Sequence, residues 1–463
     1  MDYRSDFILR NFAFITVVVS FTGCAVIKTP YTQAEYYRET VSRLEKEKQL
    51  SVCQNDSLSA GFAKASITPS LFNRFPEPEK GKFRIVPMAG YGERRGKSAK
   101  GIHDSLYIKA IAIRENNNTF VIVSGDLLIM PPNITDCVIR LLANKGINRN
   151  QLFFSATHTH SGIGGWAYGI LGKQIAGKEN KGLEKWLIEK IYNVILASLS
   201  DLRPSEIGYN SFDANEFTRN RLTGNDGIKN NLFNFIAIEQ RNGKKAIIGT
   251  YSAHATVLGA KNLELSGDYP GYWERRVEIK TADLAMFCGG SMGSQSPVVP
   301  GNDFENAELI GKALAERIAA KLVNTNMQRR NTISSLSLKI DLPAYHFRLT
   351  RNRNLTTGLS NLLMVSPKNV YLQGLRINNL LWIFTPGDFS GEYAVEIRDS
   401  LLRKGFESVV TGYNGSYIGY IIPGKYFYMN HYEPKLMGWF GPTMGDYTMD
   451  LISRITEALS ECK

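Results

Sequence analysis

Apolar runs that end in a polar cluster and give way to helical spacing recur along this 463-residue chain. That rhythm restricts its fold more than any other feature. Strands are expected over 106–113 and 120–124, the second ending in Gly125-Asp126, then a helix over 134–144 and a strand over 152–159. Strand, helix and strand in that order make a βαβ unit with a parallel pair. The pattern returns, with a helix over 186–202, a β-rich run over 246–252 leading to His254, and a short apolar run over 285–288. A helix over 306–323, a strand over 380–385, Pro386-Gly387-Asp388, a helix over 390–404 and a strand over 409–411 complete the series. The expected class is therefore α/β, with mixed β-sheets flanked by helices. Such folds carry their sites outside the carboxyl ends of the strands, which is where the polar residues here fall.

The densest of these polar clusters is Thr157-His158-Thr159-His160-Ser161-Gly162, which closes the run 152–156 and holds two of only six histidines. In an extended segment two residues at that spacing face the same side. Imidazoles so placed can hold a metal, meet a substrate, or simply hydrogen-bond to each other. Further candidates stand near one hundred residues away or more: His254, Asp388 and the tyrosines from Tyr413 onward. Zinc in hydrolases takes three or four N/O ligands and keeps a position for water. Separations this wide form no local motif, and each residue taken singly is more often structural. Gly289-Gly290 lacks the GxxxxGK[ST] pattern of a phosphate loop.

Composition narrows the partners. At 43% hydrophobic and 21% charged residues, the chain reads as ordinary globular protein. The net charge is +12, but Lys and Arg are scattered, with only Arg329-Arg330 and the 348–353 region as clusters. No nucleic-acid partner is expected on that distribution, and no protein partner is evident. Near the start, Arg4 and Arg10 precede an apolar run over 12–21 that ends in Phe21-Thr22-Gly23-Cys24. The run has the length of a signal-peptide core. Its end resembles a bacterial lipobox, although leucine is usual where Phe21 stands. We expect residues 1–23 to be a lipoprotein signal peptide, Cys24 to be lipidated, and 24–58 to be a polar tether with a short amphipathic helix around Tyr36, Val41 and Leu44. The expected location is an exported, membrane-attached lipoprotein facing the periplasm or cell surface. No repeat or linker follows residue 60, so 59–463 reads as one continuous domain. Cys53, Cys137, Cys288 and Cys462 show no CxxC zinc spacing.

Several segments taken in order resemble the N-terminal catalytic domain of the neutral/alkaline non-lysosomal ceramidases. They are Gly101-Ile102-His103-Asp104, the 121–126 strand end, Ser155 to Gly162 around THTHSG, and His254-Ala255-Thr256 with Leu265-Ser266-Gly267-Asp268 and Gly271-Tyr272. Ser296-Pro297, Pro386-Gly387-Asp388, Tyr432-Glu433 and Gly441-Pro442 follow in the family's order. The resemblance covers roughly residues 60 to 445 and implies a Zn2+ site with ligands His158, His254, Asp388 and Tyr420, Tyr417 being an alternative to the last. It implies catalytic or substrate-handling roles for His160, Tyr432, Arg221 and Ser296.

Four departures accompany it. Asp388 stands where the family has glutamate. The GDVSPN-like segment reads Gly293-Ser294-Gln295-Ser296-Pro297-Val298, and Arg221-Leu222-Thr223 replaces the NRSP continuation. The family's C-terminal immunoglobulin-like domain has no counterpart in the sequence after Gly441-Pro442. The function implied is zinc-dependent hydrolysis of the N-acyl amide of ceramide or a related N-acyl lipid. The alternatives are a zinc hydrolase of another amide or ester, and a non-catalytic lipid- or glycan-binding lipoprotein on the same scaffold.

Overall fold

The computed structural model describes residues 22–24, 30–50, 54–116, 118–350, 353–364 and 367–461. Seven of its helices are α1 (Glu35–Leu50), α2 (Pro132–Ala143), α3 (Lys181–Ser200), α4 (Asp268–Lys280), α5 (Phe304–Leu322), α6 (Gly391–Leu402) and α7 (Met444–Glu461). Among the described residues, twelve strands join in one branched mixed sheet. They are β1 (Gln54–Ser66), β2 (Tyr107–Glu115), β3 (Asn118–Gly125), β4 (Leu152–Phe154), β5 (Arg203–Asp213) and β6 (Leu232–Gln240). Then come β7 (Lys245–Tyr251), β8 (Leu284–Gly289), β9 (Arg330–Lys339), β10 (Tyr371–Ile377), β11 (Leu380–Phe384) and β12 (Glu407–Thr411).

The branch point is β1. Its first residues, Gln54 to Ser57, pair with β9, Leu58 to Ala60 pair with β5, and Leu58 to Ser66 pair with β2, all antiparallel. One long strand thus passes from one β layer into another. Alternation along each strand then fills three cores. In β2, Ile111 and Ile113 face the space between the β layers, while Ile108, Ala110 and Ala112 face helices. In β11, Leu380, Trp382 and Phe384 face inward, while Leu381 and Ile383 face helices. One outer core includes residues of α2, α3, α4 and α5, and the other includes residues of α1, α6 and α7. The result is a helix–sheet–sheet–helix stack, which explains why these strands read as continuous apolar runs.

The βαβ unit expected over 120–159 is present as β3–α2–β4, and β7–α4–β8 and β11–α6–β12 likewise close parallel pairs, although α4 was not expected from sequence. The strand expected over 152–159 stops at Phe154, because Ser155 to His160 leave the ladder to build the site. Strands β5, β6, β9 and β10, all antiparallel, carry no βαβ rhythm and were not expected.

Residues 35–50, expected within a tether, form α1 docked on the body. Leu44 is fully buried, Arg43 pairs with Asp341 at 3.1 Å, and the Tyr447 hydroxyl donates to Thr40 Oγ1 at 2.9 Å. The signal-peptide reading falls on residues that lie mostly outside those described. Of that region, Thr22–Cys24 is described as a short strand antiparallel to Arg353–Leu355. Cys137 and Cys288 are free thiols, while Cys53 and Cys462 lie outside the described residues. No helix among the described residues is long and apolar enough to cross a membrane.

Candidate metal centre

Three strand ends are stitched together where the histidines stand. Gly289, at the end of β8, donates its N–H to Ala156 O after β4, and its own carbonyl accepts from Gly412 N after β12, at 2.8 and 2.9 Å. A Cβ at Gly289 would lie 2.8 Å from Ala156 O, so only glycine allows this approach. His254 follows β7, and the His160 N–H donates to Ala255 O at 3.2 Å, tying the two histidine segments together. Asp388 and the tyrosines follow β11 and β12. Placement at strand carboxyl ends matches the sequence expectation.

The Nε2 atoms of His158, His160 and His254 face one another. The separations are 2.8 Å between His158 and His254, 3.2 Å between His158 and His160, and 3.1 Å between His160 and His254. Their convergence does not come from a strand pleat. His158 sits at φ 60, a left-handed conformation that costs a residue with a side chain energy, and such strain concentrates at functional sites. Its ring stacks at 4.3 Å on that of Tyr413, another left-handed residue at φ 68. His160 is backed by Gly90, where a Cβ would come within 2.8 Å of the His160 Cβ and carbonyl. Arg94 donates to that carbonyl.

Protonation follows from the neighbours. His158 Nδ1 lies 2.6 Å from Leu128 O and His254 Nδ1 lies 3.1 Å from Met292 O. A carbonyl only accepts, so both Nδ1 atoms carry hydrogens and both Nε2 atoms present bare lone pairs, 2.8 Å apart. Burial lowers the pKa of all three imidazoles, strongly for His160 and His254, and the positive charge of Arg221 reinforces this. A shared proton is therefore disfavoured, and facing lone pairs suit a metal cation. Two nitrogens at zinc–nitrogen distance in a tetrahedron lie about 3.3 Å apart, close to the spacing seen. The residues present fit such an ion.

Asp388 stands beside the triad, its Oδ1 3.5 Å from His158 Nε2. Its two oxygens accept from Tyr413 at 2.7 Å and Tyr417 at 2.5 Å. The Tyr420 hydroxyl instead accepts from Arg221 Nη2 at 2.8 Å, and Arg221 Nε pairs with Glu433 at 2.8 Å. Burial, then the charge of Asp388, pushes the Tyr420 phenol well above its ordinary pKa. Tyr432, half-exposed, is raised to about 12 by partial desolvation and then the charge of Asp388. Sequence reading set His160 apart from the ligands; in the structure its Nε2 belongs to the same cluster as the other two.

A cavity of about 320 Å³ opens over this floor. His158, His160, Asp388, Tyr417, Tyr420 and Tyr432 line its base, and Leu128, Ile129, Trp166, Leu171, Ile175, Met437 and Trp439 are among its wall residues. Ser296 does not line it. That residue lies on the short strand Gln295–Pro297 and accepts from Arg219 Nε at 3.2 Å. Tyr413, Tyr417 and Glu433, which hold Asp388 and Arg221, were not singled out for those roles. The Thr411-Gly412-Tyr413 strand end was the available signal for Tyr413.

By sequence, residues 80–305 match the family described as neutral/alkaline non-lysosomal ceramidase, N-terminal. Over that segment the chain is similar to these ceramidases. A curated neutral ceramidase of Pseudomonas aeruginosa is 28% identical over 279 residues, which is 54% of this chain and 41% of that protein. The match thus spans less than half the length of that relative. The fold agrees more widely than the sequence. A crystal structure of neutral ceramidase from Pseudomonas aeruginosa superposes with a TM-score of 0.70 at 21% identity, over 88% of this chain and 75% of that one. A ceramidase complexed with C2 superposes at 0.71 and 20% identity, with the same coverage. The family match includes His158, His160, Arg221, His254 and Ser296, whereas Asp388, Tyr420 and Tyr432 lie beyond it.

Proposed function

We propose that this chain is a zinc-dependent amidohydrolase cleaving the N-acyl amide of ceramide or a related N-acyl lipid. The observation that carries the reading is the set of three imidazoles whose Nε2 atoms converge within 3.2 Å beneath an apolar cavity that His158 and His160 line. His158, His160 and His254 would hold the ion, with Asp388 beside them and Tyr420, its hydroxyl held by Arg221, on the cavity base. A bound divalent cation supplies Lewis acidity, polarising the amide carbonyl and making water more acidic. The chain's own groups do the rest. Tyr420 and Tyr432, kept protonated, donate to the oxygen where negative charge develops or to the departing nitrogen. Arg221, held charged by Tyr420, Glu433 and Asp388 against its burial, fixes the Tyr420 hydroxyl. The apolar walls take an acyl chain and exclude bulk water.

Metal analysis combined with hydrolysis assays tests this. About one zinc per chain is expected, with fatty acid released from a ceramide substrate and no turnover after exhaustive chelation. Undiminished turnover in the stripped protein would sink the reading. A zinc hydrolase of another amide or ester is the second reading, favoured by Ser296 standing outside the cavity; comparing ceramide with short acyl amides and esters separates the two. Export and anchoring through Cys24 are part of the proposal and rest on the lipobox-like Phe21-Thr22-Gly23-Cys24. Mass spectrometry of the mature N-terminus should find a diacylated Cys24, and an unmodified Met1 would overturn that part.

A further inference from the structure

Residues 70–86 make a tight excursion far from the histidines in sequence. Its base is pinned by hydrogen bonds from Ser70 N to Gly81 O, Phe83 N to Ser70 O and Asn73 N to Phe83 O, at 2.8 to 2.9 Å. Phe83 is buried edge-on against Trp186, ring centroids 5.7 Å apart. From this anchored base three large apolar side chains stand in solvent: Phe72 at 63% exposure, Phe75 at 77% and Ile85 at 59%. Phe72 is held at φ 60, a strained conformation for a bulky residue. Two outward phenylalanines within four residues on a pinned loop are not the scattered exposure normal to a surface.

The charges around them favour one occupant. Glu77 pairs with both Lys80 and Lys82, and Glu79 pairs with Lys185. That leaves Arg74 and Arg84, both exposed and without an ion pair among the described residues, each next in sequence to an exposed apolar side chain. The Arg74 guanidinium lies 5.5 Å from the Phe75 ring. Aromatic tips flanked by arginine are the composition of an interfacial anchor, in which rings sit at the headgroup level and cations meet anionic lipid.

We propose that the 70–86 loop docks on an anionic lipid surface through Phe72, Phe75 and Ile85, with Arg74 and Arg84 on the headgroups. The inference does not rest on the catalytic reading. The test uses the full chain carrying Phe75→Trp, titrated with vesicles of phosphatidylcholine alone or mixed with phosphatidylglycerol, both with brominated acyl chains. The parent protein supplies the background signal of the other tryptophans, and every variant keeps the same N-terminus, so attachment elsewhere does not register. Emission from position 75 should shift to the blue and be quenched by the anionic vesicles. Adding Arg74→Gln and Arg84→Gln should raise the lipid concentration for half-quenching about thirtyfold, since each cation near such a surface is worth roughly a factor of five. Near-UV circular dichroism checks that each variant is folded. An emission unchanged by anionic vesicles, an equal response to the zwitterionic ones, or no effect of the arginine changes overturns the proposal; the first would point to a protein partner.

Discussion

His160 offers the sharpest test of the metal centre, because the family resemblance and the geometry give it different work. As a neighbour of the metal it would serve catalysis without binding the ion. In the structure its Nε2 lies 3.2 and 3.1 Å from those of His158 and His254, no farther than a shared ion requires. Its Nδ1 is buried with no hydrogen-bond partner among the described residues, so no second-atom contact seen there ties the ring to another role. Replacing a group that only supports a ligand typically costs 10- to 100-fold in metal affinity. Removing a ligand should exceed that range. We expect His160→Ala to weaken zinc binding more than 100-fold, about 2.7 kcal/mol, and to match His254→Ala within an order of magnitude. Competition against a chromophoric chelator at neutral pH reads this directly, without reference to turnover. Thermal midpoints of the metal-free variants exclude loss of fold as the cause. A loss below tenfold for His160→Ala, with His158→Ala and His254→Ala each abolishing binding, would refute the three-histidine set and restore the acid–base role.

Leu44→Ala in α1 should destabilise the protein by about 2–5 kcal/mol, as for a buried leucine, and an effect near zero on denaturant unfolding would mean that residues 35–50 are not docked. Ser296→Ala should leave turnover of an N-acyl amide within about threefold of the parent, because its hydroxyl serves Arg219 rather than the cavity; a drop beyond 100-fold would return it to the reaction. Asp268 is buried, and desolvation outweighs its backbone N–H donors to raise its pKa to about 6 from 3.8. A carboxyl raised on folding takes up its proton more readily in the folded state, so stability falls as pH rises from about 4 to about 6. The Asp268→Asn variant lacks that term. Its stability relative to the parent should therefore increase by about 3 kcal/mol across this window, whatever the offset from altered hydrogen bonding. A flat difference between parent and variant would show that Asp268 titrates normally.

Sequence disclosed the βαβ half of this molecule and little of the other half. The strands read correctly, such as β3, β7 and β11, are buried on both faces and therefore show as short unbroken apolar runs. β5 and β10 escaped notice because antiparallel strands in a branched sheet mix buried, partly exposed and polar positions, as in Arg203-Pro204-Ser205-Glu206. α1 was read as an amphipathic helix, but its docking was not legible, since Leu44 is one residue whose burial depends on β9, α7 and Tyr447 arriving from the far end of the chain.

The site divides along the same line. His158, His160, His254 and Asp388 were identifiable as residues able to bind a metal, because side-chain chemistry is local and strand ends are marked in the sequence. Which of them share one point in space was not. That depends on a left-handed turn at His158, a glycine at position 289 that lets three strand ends touch, and carbonyls of Leu128 and Met292 that aim two lone pairs at each other. Each is a contact between segments far apart in the chain, set by backbone geometry that no residue specifies alone. Sequence by itself determined the chemistry on offer and the strand ends that carry it. Only the tertiary structure decided that His160 joins the cluster, that Ser296 stands outside it, and that Tyr413 and Tyr417 hold Asp388.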